Sequence, residues 1–342
     1  MTRCVLIQHG LAFKHGNNSF GTCCYNSIDP TTYTSDRIDP VGCRACIDQE
    51  NNNIFSYRQG ANQKYGLEHN HLLPIVLDVN PNKNCDLACK ICGSDSSSTW
   101  AKLENIKINS NFNMTFSDFK NKFNKIDLSQ AQEINFSGGE PFLNDNVRRY
   151  IEQLSDQCDF SKLTLRLSTN GSHKLNSKLI DFFLQFALVR VRFSLDDIGT
   201  GHEYQRWPSM WKQWETNWKI FLTDMPHTVM PAINRTISLL NVNRLHLLDS
   251  WHQQYLTNKF GDPIELVDHY AFGSYSLGNL PVALKEHISQ HRDVYSRAWD
   301  AVKNRSTITD LTDLRQIIIK HDQLHNTSLQ EFNPVLYNII FS

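Results

Sequence analysis

Between Asn84 and Cys92 the chain reads Asn-Cys-Asp-Leu-Ala-Cys-Lys-Ile-Cys, which places Cys85, Cys89 and Cys92 within eight residues in a C-x3-C-x2-C spacing. Thiols this close must share one loop. Three cysteines hold three irons of a cubane cluster and leave the fourth iron open to a substrate, whereas ferredoxin-type carriers fill all four positions with Cys. The competing reading is a structural zinc site, which closes its tetrahedron with a fourth Cys or His. The nearest histidines, His69 and His71, lie across a predicted strand.

Three further landmarks follow in order: Gly138-Gly139-Glu140-Pro141, Ser168-Thr169-Asn170-Gly171 and Ser194-Leu195-Asp196. With the cysteine loop they resemble the cluster loop, GGE motif, ribose motif and SxD element of radical S-adenosylmethionine (SAM) enzymes. The resemblance runs from about Leu73 to about Asn243. It implies an α/β fold, a partial (β/α)6 TIM-like barrel, with a 4Fe-4S cluster that cleaves SAM to methionine and a 5′-deoxyadenosyl radical.

The 342-residue length and 40% hydrophobic content suffice for one large domain and a small module. A net charge of -1 gives no global electrostatic case for nucleic acid or anionic membrane. No apolar run approaches the length of a transmembrane helix, and the first twenty residues lack the apolar core of a secretory signal. Nine cysteines without such a signal point to a reducing, cytoplasmic setting, where clustered thiols bind metal or act in redox chemistry. Cys158 stands alone and reads as a structural thiol.

Residues 1–66 do not look like a self-sufficient core. They carry β-prone pieces at Cys4-Val-Leu-Ile and Phe20-Gly-Thr-Cys-Cys-Tyr, and then Cys43-Arg-Ala-Cys46. Cys4, one of Cys23 and Cys24, Cys43 and Cys46 supply four thiolates, a count that fits a fully ligated cluster or a four-cysteine zinc ribbon. With Glu50, Ser56 and Arg58 downstream, the segment resembles the twitch domain, a shortened relative of the SPASM domain. That resemblance implies an auxiliary 4Fe-4S cluster on Cys4, Cys23, Cys43 and Cys46.

From Leu73 short apolar runs alternate with amphipathic segments. Strands are expected at 74–80, 133–137, 163–168, 189–194, 228–240 and 263–270, with helices between them, so residues 67–275 read as the barrel and 276–342 as a helical extension. Cys85, Gly138, Ser168 and Ser194 all fall at or just beyond strand C-termini, the edge where parallel α/β folds bind ligands. Trp207, Trp211, Trp214 and Trp218 form a helical stripe, read as core packing against the alternative of a substrate-stacking platform.

Under the resemblance, Gly138 and Gly139 give a ligand room at the backbone and Glu140 takes the methionyl ammonium. Ser168, Asn170, Ser194 and Asp196 meet ribose hydroxyls or the methionyl carboxylate, although Ser168 and Asn170 also suit a strand-end turn. Asp197 follows Asp196, and neighbouring carboxylates on an extended chain point to opposite sides. Ile91 either packs on adenine or anchors the loop. The substrate implied is a peptide or protein side chain, with a nucleotide, sugar or other small metabolite as the enzymatic alternative and a non-catalytic iron–sulfur or zinc protein as the other. A reductant such as flavodoxin or ferredoxin is implied, and since no segment resembles a leader-peptide recognition module, peptide capture would fall to a separate peptide-recognition protein or to the barrel mouth.

Overall fold

The computed structural model describes residues 4–6, 10–14, 20–21, 43–51, 55–66, 74–107 and 113–342. The chain forms two compact units, residues 1–84, 108–167 and 177–190 in the first and residues 85–107, 168–176 and 191–342 in the second.

In the first unit the described strands are β1 (Gly10–Lys14), β2 (Phe20–Gly21), β3 (Val76–Asn80), β4 (Glu133–Phe136) and β5 (Thr164–Thr169), which ends in the second unit. Their order is β2-β1-β3-β4-β5. β1 pairs antiparallel with β2, and the pairings β1 with β3, β3 with β4 and β4 with β5 are parallel. β3 is buried on both faces, as a parallel strand covered by helices must be. Asp78 can stand within it because Asn135 donates to its carboxylate at 2.7 Å. Aromatic side chains fill the core. Phe13 of β1 meets Phe119 and Phe123 edge-on, and Val147, Ile151 and Leu154 are fully buried in the segment expected to be helical there.

β6 (Leu188–Ser194) begins in the first unit and ends in the second, where β7 (Val229–Ile237) and β8 (Glu265–Tyr270) pair in parallel. All six strands expected from residue 74 onward are present, with ends that differ from the expected ones by up to three residues. The fold is α/β with parallel strands. In the second unit a large apolar cluster joins Tyr204, Leu239 and Leu245 to Leu284, Ile318, Leu336 and Ile340, so residues beyond 276 share a core with those before it.

Two sequence expectations change. Val5 and Leu6 lie in helical backbone rather than a strand and pack in an apolar cluster with Ala61, Ile75 and Val76. The tryptophan stripe is broken at Pro208. One helix ends at Gln205, another runs from Trp211 to Asp224, and Trp207 lies between them. On the longer helix Trp214 and Trp218 are fully buried, with Phe193 of β6 meeting Trp218 and Phe221 at 4.9 and 4.6 Å. These tryptophans are core.

Candidate functional site: a cysteine loop and its donors

The second unit holds the cysteine loop from both sides. Ser97 caps the helix Ser98–Leu103 and donates to the Leu87 carbonyl, while Ser98 and Thr99 hydroxyls donate to the carbonyl of Cys85 at 3.0 and 2.7 Å. On the other side the Ala88 amide donates to the Trp207 carbonyl at 2.7 Å, and the Lys90 amide to that of Gln205 at 2.8 Å. Trp100 donates its indole N–H to the Cys89 carbonyl at 2.8 Å. These contacts fix the backbone of the loop without using the thiols. Cys89 is buried, Cys85 half-buried and Cys92 exposed.

Two side-chain donors reach the sulfurs. Asn170 Nδ2 lies 3.8 Å from Cys85 Sγ, and Arg206 Nη1 lies 3.9 Å from Cys89 Sγ. Arg206 also pairs with Asp196 at 2.8 Å, both groups being buried. Burial opposes the guanidinium charge, but attraction to Asp196 and Cys89 raises its pKa further. The other Asp196 oxygen accepts from the Thr236 amide at 2.8 Å. Asp197 takes a separate arginine, Arg244, at 2.6 Å, so the adjacent carboxylates do point apart. Burial pushes the Asp197 carboxyl up against the opposing pull of Arg244.

Asn170 is buried and tied into a knot. Its Nδ2 donates to Asp86 Oδ1 at 2.8 Å, Ser172 Oγ lies 2.6 Å from Asp86 Oδ2, and His173 Nε2 is 3.2 Å from the same oxygen. Burial works against the Asp86 charge, yet donation from His173, Ser172 and Asn170 brings its pKa down to about 2. Gly171 is required here, because at φ +77° an added Cβ would lie 2.3 Å from Trp214 Nε1. Ser168 is exposed at the end of β5, Ser194 half-buried at the end of β6, and Ile91 half-buried against the apolar cluster around Tyr204.

Gly138, Gly139 and Glu140 belong to the first unit. Both glycines have positive φ, and an added Cβ would lie 1.8 Å from Asn80 Oδ1 at Gly138 and 2.3 Å from the Asn84 carbonyl at Gly139. The space that a side chain would take at either glycine is filled by this unit's own asparagines. Glu140 is buried, donates its amide to the Asn84 carbonyl at 2.6 Å and accepts from the Phe142 amide at 3.1 Å.

Also in the first unit, Cys4 and Cys43 are buried in one apolar cluster with Ala61 and Val76, and Cys46 is buried with Cys43 as an electrostatic neighbour. Burial raises the Cys46 thiol pKa, opposed by a hydrogen bond from the Arg58 backbone. Glu50 accepts from Ser56 and pairs with the buried Arg58. Cys23 and Cys24 lie outside the described residues. Among the described residues no three His, Cys, Asp or Glu groups converge on a point where one metal ion could sit. A cubane does not need that convergence, since each thiolate binds a different iron.

The residues of the cysteine loop fit an iron–sulfur cluster: three thiols on a fixed loop, with an amide and a guanidinium donor aimed at two sulfurs, the kind of contact that stabilises thiolate charge. Asp86 and Arg206 were missed by sequence reasoning. Each stands beside a motif, Asp86 directly after Cys85 and Arg206 ten residues after Asp196, but only the folded chain pairs them.

What the second unit defines is a cysteine loop at the strand ends of an α/β fold, of the kind that holds an iron–sulfur cluster. Residues 81–196 match the family model of a 4Fe-4S single cluster domain. Among solved structures the chain is similar to native anSMEcpe with bound AdoMet, at 17% identity and a TM-score of 0.45, over 72% of this chain and 66% of that one. It is also similar to SuiB of Streptococcus suis bound to precursor peptide SuiA, at 13% identity and a TM-score of 0.43, over 88% of this chain and 64% of that one. SuiB bound to S-adenosylmethionine matches at 12% identity and a TM-score of 0.40, over 82% of this chain and 55% of that one. The chain thus spans just under two thirds, or less, of the length of these chains. No curated protein matches it in sequence. Among the described residues no helix is long and apolar enough to cross a membrane.

Proposed function

We propose that the chain is a radical SAM enzyme on a partial (β/α)6 barrel, acting in the cytoplasm on a peptide or protein side chain. Cys85, Cys89 and Cys92 hold the SAM-binding 4Fe-4S cluster, and Cys4, Cys23, Cys43 and Cys46 an auxiliary one. The observation that carries this reading is the approach of Asn170 and Arg206 to two of the three sulfurs, the cysteines and Asn170 lying inside the segment that matches the 4Fe-4S model and Arg206 just beyond it. When bound, the cluster supplies the electron that cleaves SAM to methionine and a 5′-deoxyadenosyl radical, drawn from a flavodoxin- or ferredoxin-type reductant.

The chain's own residues bind and orient. Arg206 sets a positive charge against Cys89, which favours the thiolate, and Asp196 holds Arg206 in place. Asp86 gathers Asn170, Ser172 and His173 and so fixes the ribose-motif loop relative to Cys85. Glu140 takes the methionyl ammonium, and Ser168, Asn170 and Ser194 the remaining polar edges of SAM. The peptide substrate rests on the twitch-like cysteine pattern of the N-terminal segment.

Anaerobically reconstituted protein should bind about eight irons, from two cubanes, and a Cys85→Ala, Cys89→Ala, Cys92→Ala triple variant about half as many. Stoichiometric zinc without iron in protein purified free of oxygen contradicts the reading. For the substrate, deuterium should pass from a labelled peptide into 5′-deoxyadenosine; transfer from a labelled nucleotide or sugar instead overturns the peptide assignment.

A further inference from the structure

Lys90 stands between two of the three cysteines, yet its side chain has no exposure to solvent. Its Nζ lies 2.8 Å from Asp322 Oδ1, 3.1 Å from Thr327 Oγ1 and 4.2 Å from the centre of the Tyr204 ring. An ammonium removed from water is tolerated only beside a fixed counter-charge. Asp322 is such a receptor. It lies near the end of the helix Thr312–His325, its Oδ2 accepts from the Leu329 amide at 2.8 Å, and its Oδ1 from the Thr327 hydroxyl at 3.0 Å.

The same helix grips the loop at two more points. His321 and His325 each pack against Trp100 with ring centres 4.8 Å apart, and Trp100 donates to the Cys89 carbonyl. His325 also stacks on Trp207 at 4.8 Å, nearly parallel, and Trp207 accepts the Ala88 amide. One helix, more than two hundred residues along the chain, therefore meets the support of Ala88, Cys89 and Lys90 in succession.

We infer that the helix Thr312–His325 is a clamp on the cysteine loop, with Lys90 and Asp322 as positioning residues that set the retention and potential of the cluster bound there. This rests on the reading that Cys85, Cys89 and Cys92 hold an iron–sulfur cluster. The pair is asymmetric. Lys90→Met leaves Asp322 with the Leu329 amide and the Thr327 hydroxyl, whereas Asp322→Asn leaves a buried ammonium without its counter-charge.

The test uses the full chain carrying only the barrel cluster, prepared with Cys43→Ala and Cys46→Ala. Asp322→Asn should speed iron release to a chelator by about 10-fold or more, the range for residues that orient metal ligands. Lys90→Met should have a smaller effect, and the double variant should recover most of the loss, since neither charge is then left alone. Because the reduced cluster carries an extra electron, Asp322→Asn should raise its midpoint potential, Lys90→Met should lower it, and the double variant should return it towards the starting value. A role in folding alone does not generate that pattern of signs. Iron release and potential unchanged in Asp322→Asn overturn the clamp. Absence of iron in the parent protein instead overturns the cluster reading beneath it. Should Asp322→Asn fail to fold, hydrogen exchange on the parent decides: the Ala88 and Lys90 amides should be protected as strongly as those of the helix, and fast exchange at both overturns the inference.

Discussion

Arg206 reaches the Asp196 carboxylate with one nitrogen and the Cys89 sulfur with another, and neither contact is exposed. Removing the carboxylate strands the guanidinium. Asp196→Ala should therefore destabilise the protein by about 3–5 kcal/mol, the range for breaking a buried pair from one side. Urea unfolding under anaerobic conditions measures it, and a loss below about 1 kcal/mol, as for a surface pair, contradicts the buried role. At Glu140 the expected effect is on ligand rather than fold: Glu140→Gln should weaken SAM binding by about 1.5–3 kcal/mol with cluster content unchanged, as judged by equilibrium dialysis. Unaltered affinity removes Glu140 from the site. The cysteine loop was legible because its three thiols fall within eight residues of sequence. Asp86 and Arg206 were not, because what defines them is a partner brought close by folding, Asn170 and Ser172 for one and Cys89 for the other.

Among the elements, the helix Trp211–Asp224 shows how periodicity is read correctly in type but not in extent. Trp211, Trp214 and Trp218 fall on one helix, and Pro208, which cannot continue a helix begun upstream, keeps Trp207 off it. Trp218 is fully buried beside Phe193, and Trp218→Ala should cost about 3–5 kcal/mol in unfolding free energy, measurable by thermal denaturation. A much smaller loss would contradict its role in the core. The strands from Val76 onward were visible because buried parallel strands read as short apolar runs between amphipathic segments. Val5 and Leu6 were misread because a three-residue apolar run does not distinguish strand from helix, and β1 was missed because its pairing with β3 spans more than sixty residues.

For the molecule as a whole, His202, His321 and His325 are among the histidines buried in the second unit. Burial lowers their pKa values to about 3, 4 and 3, helped by Arg206 at His202 and by Lys90 at the other two. Unfolded, each titrates near 6.5, so the unfolded chain binds more protons between about pH 4 and 6.5 and stability falls as pH falls through that window. At pH 5.5 the loss relative to pH 7.5 should be on the order of 1 kcal/mol per histidine, and His325→Phe should remove its share. Equal urea midpoints at the two pH values contradict neutral burial. None of this was legible in residues 276–342, which carry no motif, because their meaning lies in the core they share with Tyr204 and Leu245 and in the Lys90 contact.

The most direct measurement is product analysis after anaerobic incubation with SAM and dithionite. Cluster-loaded protein should form 5′-deoxyadenosine and methionine in equal amounts, and the Cys85→Ala, Cys89→Ala, Cys92→Ala variant none. Absence of 5′-deoxyadenosine from protein shown to carry the cluster at these cysteines would contradict the proposed activity.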